Sequence, residues 1–151
     1  MLSNTVDGDT CLLQAFQEAI VQQEALCCTL EALADALPKR LDTLAAVQLA
    51  NSLVPTLTQC YSMEEKEVFP LLRQSSATFE QTLERLHAEH IEDEDHAAIL
   101  ADAIFSFARA PSQGDAEALG YLLRGLFQPL RRHLAFDREV VFPLFRWALG
   151  G

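Results

Sequence analysis

The stretch SMEEKEVFPLLR at residues 62–73 returns as AFDREVVFPLFR at residues 135–146. A phrase this specific, used twice, requires two parts of the chain to adopt one local structure. It therefore constrains the fold more than any single motif. A second pair agrees with it: EALADAL at 31–37 resembles AILADAI at 98–104. The two halves read as diverged copies of one unit packed against its own duplicate. The duplication also aligns the chain with itself, pairing Gln23 with His90, Cys27 with Glu94, Cys60 with His133 and Glu64 with Asp137.

The unit reads as a helical hairpin. Glycine and proline are few, and Ala, Leu, Glu and Gln dominate between them, which favours helix over strand. Four segments result, at about 10–37, 41–73, 78–108 and 116–149. Asp9 or Thr10 is a candidate N-cap and Pro38 a stop for the first. Pro55 marks a kink or interruption in the second, and Pro70 and Pro143 end or bend their helices. APSQGD at 110–115 is a loop. Short connections place consecutive helices antiparallel, so the reading is an all-α, up-down-up-down four-helix bundle in a single domain, residues 1–151.

Helical periodicity then selects the inward faces. The first reads Phe16, Ile20, Gln23, Cys27, Leu30, Ala34, Leu37, and the second Leu49, Leu53, Leu57, Cys60, Glu64, Val68, Leu71. The third reads Phe79, Leu83, Leu86, His90, Glu94, Ala97, Ala101, Ile104, and the fourth Leu119, Leu122, Leu126, Leu130, His133, Asp137, Val141, Leu144. Each apolar stripe is broken by one i,i+4 pair near its midpoint. In an antiparallel bundle the four pairs meet at one level. Three buried carboxylates there (Glu64, Glu94, Asp137) would repel one another, so something positive must compensate. Protonated His90 and His133, shared protons or a bound cation are the candidates. Imidazole with carboxylate suits iron, manganese or zinc, while a thiolate from Cys60 biases the site towards softer ions. The alternative is a hydrogen-bonded core network without metal.

His87 lies beside the inward stripe, within reach of the layer, whereas His96 belongs to the surface and Trp147 to ordinary packing. The formal charge of -11 among 151 residues argues against nucleic acid as a partner. No apolar run approaches the roughly 18 residues that cross a bilayer, and the start of the sequence lacks signal-peptide character. The expectation is a cytoplasmic protein with four reduced cysteines, and a homodimer through an outer helix face is compatible with it. No phosphate loop, nucleophile elbow or other substrate-specifying motif is present, so the chain reads as a binding protein before an enzyme.

EEKEVFPLL, EHIEDED and HLAFDREVVFPLF resemble the hemerythrin-like HHE cation-binding proteins, over nearly the whole length. The resemblance implies a hemerythrin-like bundle whose core holds a non-haem iron pair bridged by two carboxylates, with dioxygen or another small diatomic as a ligand, or with a sensing role. Glu64 and Asp137 match the bridging carboxylates, and His90 and His133 match terminal ligands. Gln23 and Cys60 stand where the family has histidines, and Glu94 where the oxygen-carrying branch has a second third-helix histidine. The resemblance thus implies one or two irons held asymmetrically, with sensing, iron handling or redox response in place of oxygen carriage. Its alternative is a degenerate bundle without metal that serves as an interaction module.

Overall fold

Four apolar stripes need a common interior, and in the computed structural model, which describes residues 2–39 and 41–150, they close on one another as four long helical rods. The first rod is α1 (Leu2–Ala36). The second is α2 (Thr43–Met63), a π-helical turn (Glu64–Val68) and α3 (Phe69–Ser75). The third is α4 (Glu80–Arg109). The fourth repeats the second: α5 (Ala116–Phe136), a π-helical turn (Asp137–Val141) and α6 (Phe142–Ala148). No strand occurs among the described residues. α1 packs on α2 and α5, and α4 packs on the same two, so α1 and α4 lie diagonally across the bundle. The architecture is the antiparallel four-helix bundle expected from the short connections.

The duplication reaches the helix starts. Asp42 caps α2 by accepting from the Ala45 amide at 3.1 Å, and Asp115 caps α5 by accepting from the Ala118 amide at 3.0 Å. Each satisfies one of the amides left without an intrahelical partner. Apolar residues of the four stripes form one continuous core: Leu30, Leu53, Leu57, Leu83, Leu100, Leu123 and Leu130 are fully enclosed. Beyond the polar layer, Phe16 packs edge-on to Phe145 with centroids 5.7 Å apart.

Several local expectations are corrected. α1 begins at Leu2, ahead of the expected Asp9–Thr10 cap, and Gly8 lies within it. α2 runs through Pro55 without interruption. Pro70 and Pro143 neither end their helices nor stand alone: each is the second residue of a short helix that follows a π turn. Trp147 is largely exposed at 65% and is not a packing residue. No described helix is long and apolar enough to cross a membrane.

Candidate metal centre

The two π turns are the local device that builds the polar layer. A proline has no amide to donate to the carbonyl four residues back. α2 and α5 nevertheless carry Pro55 and Pro129 without widening, so the π turns belong to the repeated phrase and not to proline alone. At both copies of the VFP/VVFP segment the helix widens just before the proline. The Phe69 amide bonds the Glu64 carbonyl five residues back, and the Phe142 amide bonds the Asp137 carbonyl. The first residue of each widened turn is the inward carboxylate. π turns inside α-helices recur at functional sites because they re-aim side chains at little cost elsewhere.

Four ionisable side chains from three rods meet there. Glu64, His90, His133 and Asp137 are all buried, with at most 6% exposure. Glu64, His90 and His133 each present a ligand atom, all within 4.8 Å of one another. Glu64 Oε2 lies 3.5 Å from His90 Nε2, and Asp137 Oδ2 lies 3.2 Å from His133 Nε2. The two imidazoles cross edge to face, with centroids 5.1 Å apart. Each histidine also meets an outer carboxylate through Nδ1: Glu65 Oε1 is 3.4 Å from His90 and Glu89 Oε2 is 3.4 Å from His133.

Charge and burial conflict in this layer. Burial pushes the Glu64 carboxyl up to about 7, and the neighbouring Asp137 adds to the rise while His90 and His133 oppose it. Burial by itself lowers the His133 pKa, but Asp137, joined by the Glu64 and Asp93 charges, outweighs it and brings the imidazole up to about 9. Among the described residues, seven buried side-chain atoms have no hydrogen-bond partner, and six of them belong to Glu64, His90, His133 and Asp137. Native interiors leave few such atoms. Inward lone pairs on Glu64, His90 and His133, at this spacing, form a donor set of the kind that holds a metal ion.

Sequence reading named Glu64, His90, His133 and Asp137, and the fold brings these together. Its other candidates go elsewhere. Gln23 is buried, but its Nε2 donates to the Ala19 carbonyl of its own helix at 3.2 Å. Cys60 is buried, and its thiol contacts that same carbonyl at 3.7 Å and Gln22 Oε1 at 3.6 Å. Burial, then the Glu64 charge, raises the Cys60 thiol to about 11, so it stays protonated at neutral pH. Cys27 turns to the Phe127 carbonyl at 3.9 Å, and all four cysteines are free. Glu94 is half-buried and outside the three-residue cluster. His87 is exposed and pairs with Glu65, while His96 is partly buried, with Nε2 3.0 Å from the Leu122 carbonyl.

Three residues around the layer escaped the sequence reading: Tyr61, Asp93 and Phe69. Tyr61 is fully enclosed and stacks on His90, with centroids 3.9 Å apart and planes within 8°. Its hydroxyl donates to Asp93 Oδ2 at 2.8 Å. Burial, reinforced by the Asp93 charge, pushes the phenol pKa far up, and burial likewise raises Asp93, against the Tyr61 hydrogen bond. Phe69 flanks His90 as well, with centroids 5.9 Å apart. The His133 side differs. A cleft of about 380 Å³ between α4 and α5, lined by Arg85, Glu89, Asp93, Arg132 and His133 among others, reaches that imidazole from the surface. One side of the layer is thus closed by aromatic rings and the other is approachable.

No curated protein and no solved structure matches the chain significantly. The family model of the hemerythrin HHE cation-binding domain matches residues 21–145, a span that holds all four buried ionisable residues and both π turns. The chain belongs to the hemerythrin HHE cation-binding domain family.

Proposed function

We propose that this chain, read as one hemerythrin-like domain over residues 1–151, holds a single non-haem metal ion through Glu64, His90 and His133, with Asp137 as a further carboxylate. The observation that carries the reading is the cluster of buried, unpartnered ligand atoms within 4.8 Å. Two histidines and a carboxylate with positions to spare is an iron-type donor set, with manganese and zinc as competitors. An iron ion there would supply one-electron redox chemistry and a Lewis-acidic position for a small ligand such as a diatomic.

The chain's own residues set the limits of that chemistry. Gln23 and Cys60, which replace two histidines of the family pattern, both address the Ala19 carbonyl. That half of the layer offers no neutral imidazole and no thiolate, which favours one ion over a symmetric pair. Tyr61 and Phe69 exclude water from the His90 side, and the cleft beside His133 admits small solutes. A lone ion with one approachable side suits sensing, iron handling or a redox response better than reversible oxygen carriage, which in this family rests on an iron pair.

Anaerobic purification with ferrous iron, metal analysis per chain, and a visible spectrum before and after air or azide test the reading. One iron per chain without oxo-bridge charge-transfer bands is the expected result. Two irons with those bands would replace it with an intact pair. Failure to bind iron, manganese or zinc after reconstitution would overturn it and leave the bundle as a metal-free interaction module.

A further inference from the structure

His133 and His90 face opposite partners through their two ring nitrogens. Nε2 of each points inward, to Asp137 at 3.2 Å and to Glu64 at 3.5 Å respectively. Nδ1 of His133 hydrogen-bonds Glu89 Oε2 at 3.4 Å, whereas Nδ1 of His90 lies 3.4 Å from Glu65 Oε1 without a hydrogen bond. Neither outer carboxylate is isolated. Arg85 holds Glu89 one helical turn away, with Nε 3.7 Å from Oε1, and Arg85 itself lies over the Phe136 ring at 5.4 Å. His87 pairs with Glu65 from the neighbouring turn of α4. Two chains of contact therefore run from the surface to the centre, Arg85–Glu89–His133 and His87–Glu65–His90. The duplication does not account for them, because three of the four outer groups come from α4, whose counterpart α1 carries no histidine.

We infer that Glu89 is a positioning residue that chooses which nitrogen His133 offers to a cation. A carboxylate at Nδ1 takes the N–H there and leaves the lone pair on Nε2, which is the nitrogen directed at Asp137. It also fixes the ring plane and raises the basicity of the inner nitrogen. Glu89 is 42% exposed, and its role is local: without it the His133 imidazole is free to turn over or to keep a proton on Nε2. The inference rests on the metal-binding reading above.

The test measures Zn(II) and Mn(II) affinity of the full chain by competition with a chromophoric chelator. The variants are Glu89→Ala and, as controls, Glu84→Ala and Glu67→Ala, which remove the same charge from exposed positions. Glu89→Ala weakens binding by roughly 10–100-fold, and the controls change it little. Glu89→Gln keeps an acceptor and falls between parent and alanine. Long-range proton–nitrogen NMR of the zinc-loaded protein gives a second readout: His133 bonding through Nε2 in the parent and through a mixture of nitrogens in Glu89→Ala. Equal losses in Glu89→Ala and the controls, or unchanged affinity and unchanged nitrogen assignment in Glu89→Ala, overturn the inference. A parent that binds neither ion fails the earlier reading instead, so the two failures are distinct.

Discussion

Tyr61 shows how a single side chain shapes this centre. Its ring covers His90, and its hydroxyl reaches across to Asp93 on α4. Tyr61→Phe keeps the stacking and deletes the hydrogen bond, leaving a partly buried carboxylate short of a donor. The expected cost is about 1–2 kcal/mol in urea denaturation, with the bundle otherwise intact by circular dichroism. At the opposite wall, Gln23→His with Cys60→His restores two imidazoles where the family has them, and metal per chain should rise from one towards two. An unchanged stoichiometry in that double variant would show that the Ala19 side is closed by backbone and not by side-chain identity. Polar breaks in apolar stripes made Glu64, His90, His133 and Asp137 legible in the sequence. Tyr61 was not legible, because an aromatic beside a stripe reads as packing whether or not its hydroxyl has a buried partner. Asp93 was displaced by Glu94 for a geometric reason: one residue is about 100° of helix rotation, and a modest turn of α4 exchanges which of the two meets the layer.

At the scale of the element, the doubled phrase proves to encode a turn as well as a hairpin. FP follows a π turn at the same place in both copies, unlike Pro55 and Pro129, which α2 and α5 carry without widening. The extra residue accommodated by the turn sets the direction of Glu64 relative to Val68 and Phe69, which remain in the core. Removing Lys66, an exposed residue inside the first turn, should let that rod close into a continuous α-helix. The expected outcome is a folded bundle whose metal affinity falls by roughly tenfold or more, measured by the same chelator competition alongside circular dichroism. Unaltered affinity would mean that the carboxylate finds its place without the widened turn. Periodicity located the inward carboxylates here, yet the π geometry itself lay beyond it, since three- and four-residue spacing assumes a uniform helix.

For the whole molecule, the layer ties stability to pH. Glu64 has its carboxyl raised from 4.5 to about 7, so the folded chain binds that proton more tightly than the unfolded one does. Its contribution is fully present below 4.5 and is lost as pH rises to about 7. His133 is raised from 6.5 to about 9, so its contribution is fully present below 6.5 and is lost as pH rises through about 9. Both have the same sign, and the metal-free protein should lose melting temperature steadily from pH 5 to pH 9. Glu64→Gln should flatten the lower part of that slope, below about pH 7, and leave the upper part. Cation binding requires the deprotonated groups, so metal-loaded protein should show a stabilisation that grows with pH over the same range. A melting temperature of the metal-free protein that rises from pH 5 to pH 9 would contradict this account. Surface pairs joining the two halves, Arg131–Glu31 and Arg138–Glu24, are exposed and contribute at most about 1 kcal/mol each.

Sequence alone determined the helical class, the duplicated hairpin and the level at which polar residues interrupt the core, because amphipathic period and repeat are properties of residue order. Tertiary structure decided which of those residues share a site. Orientation about each helix axis, the two π turns and the capture of Gln23 and Cys60 by one backbone carbonyl depend on how the rods seat against one another. Those contacts turned four apparent pairs into one asymmetric centre of two carboxylates and two histidines.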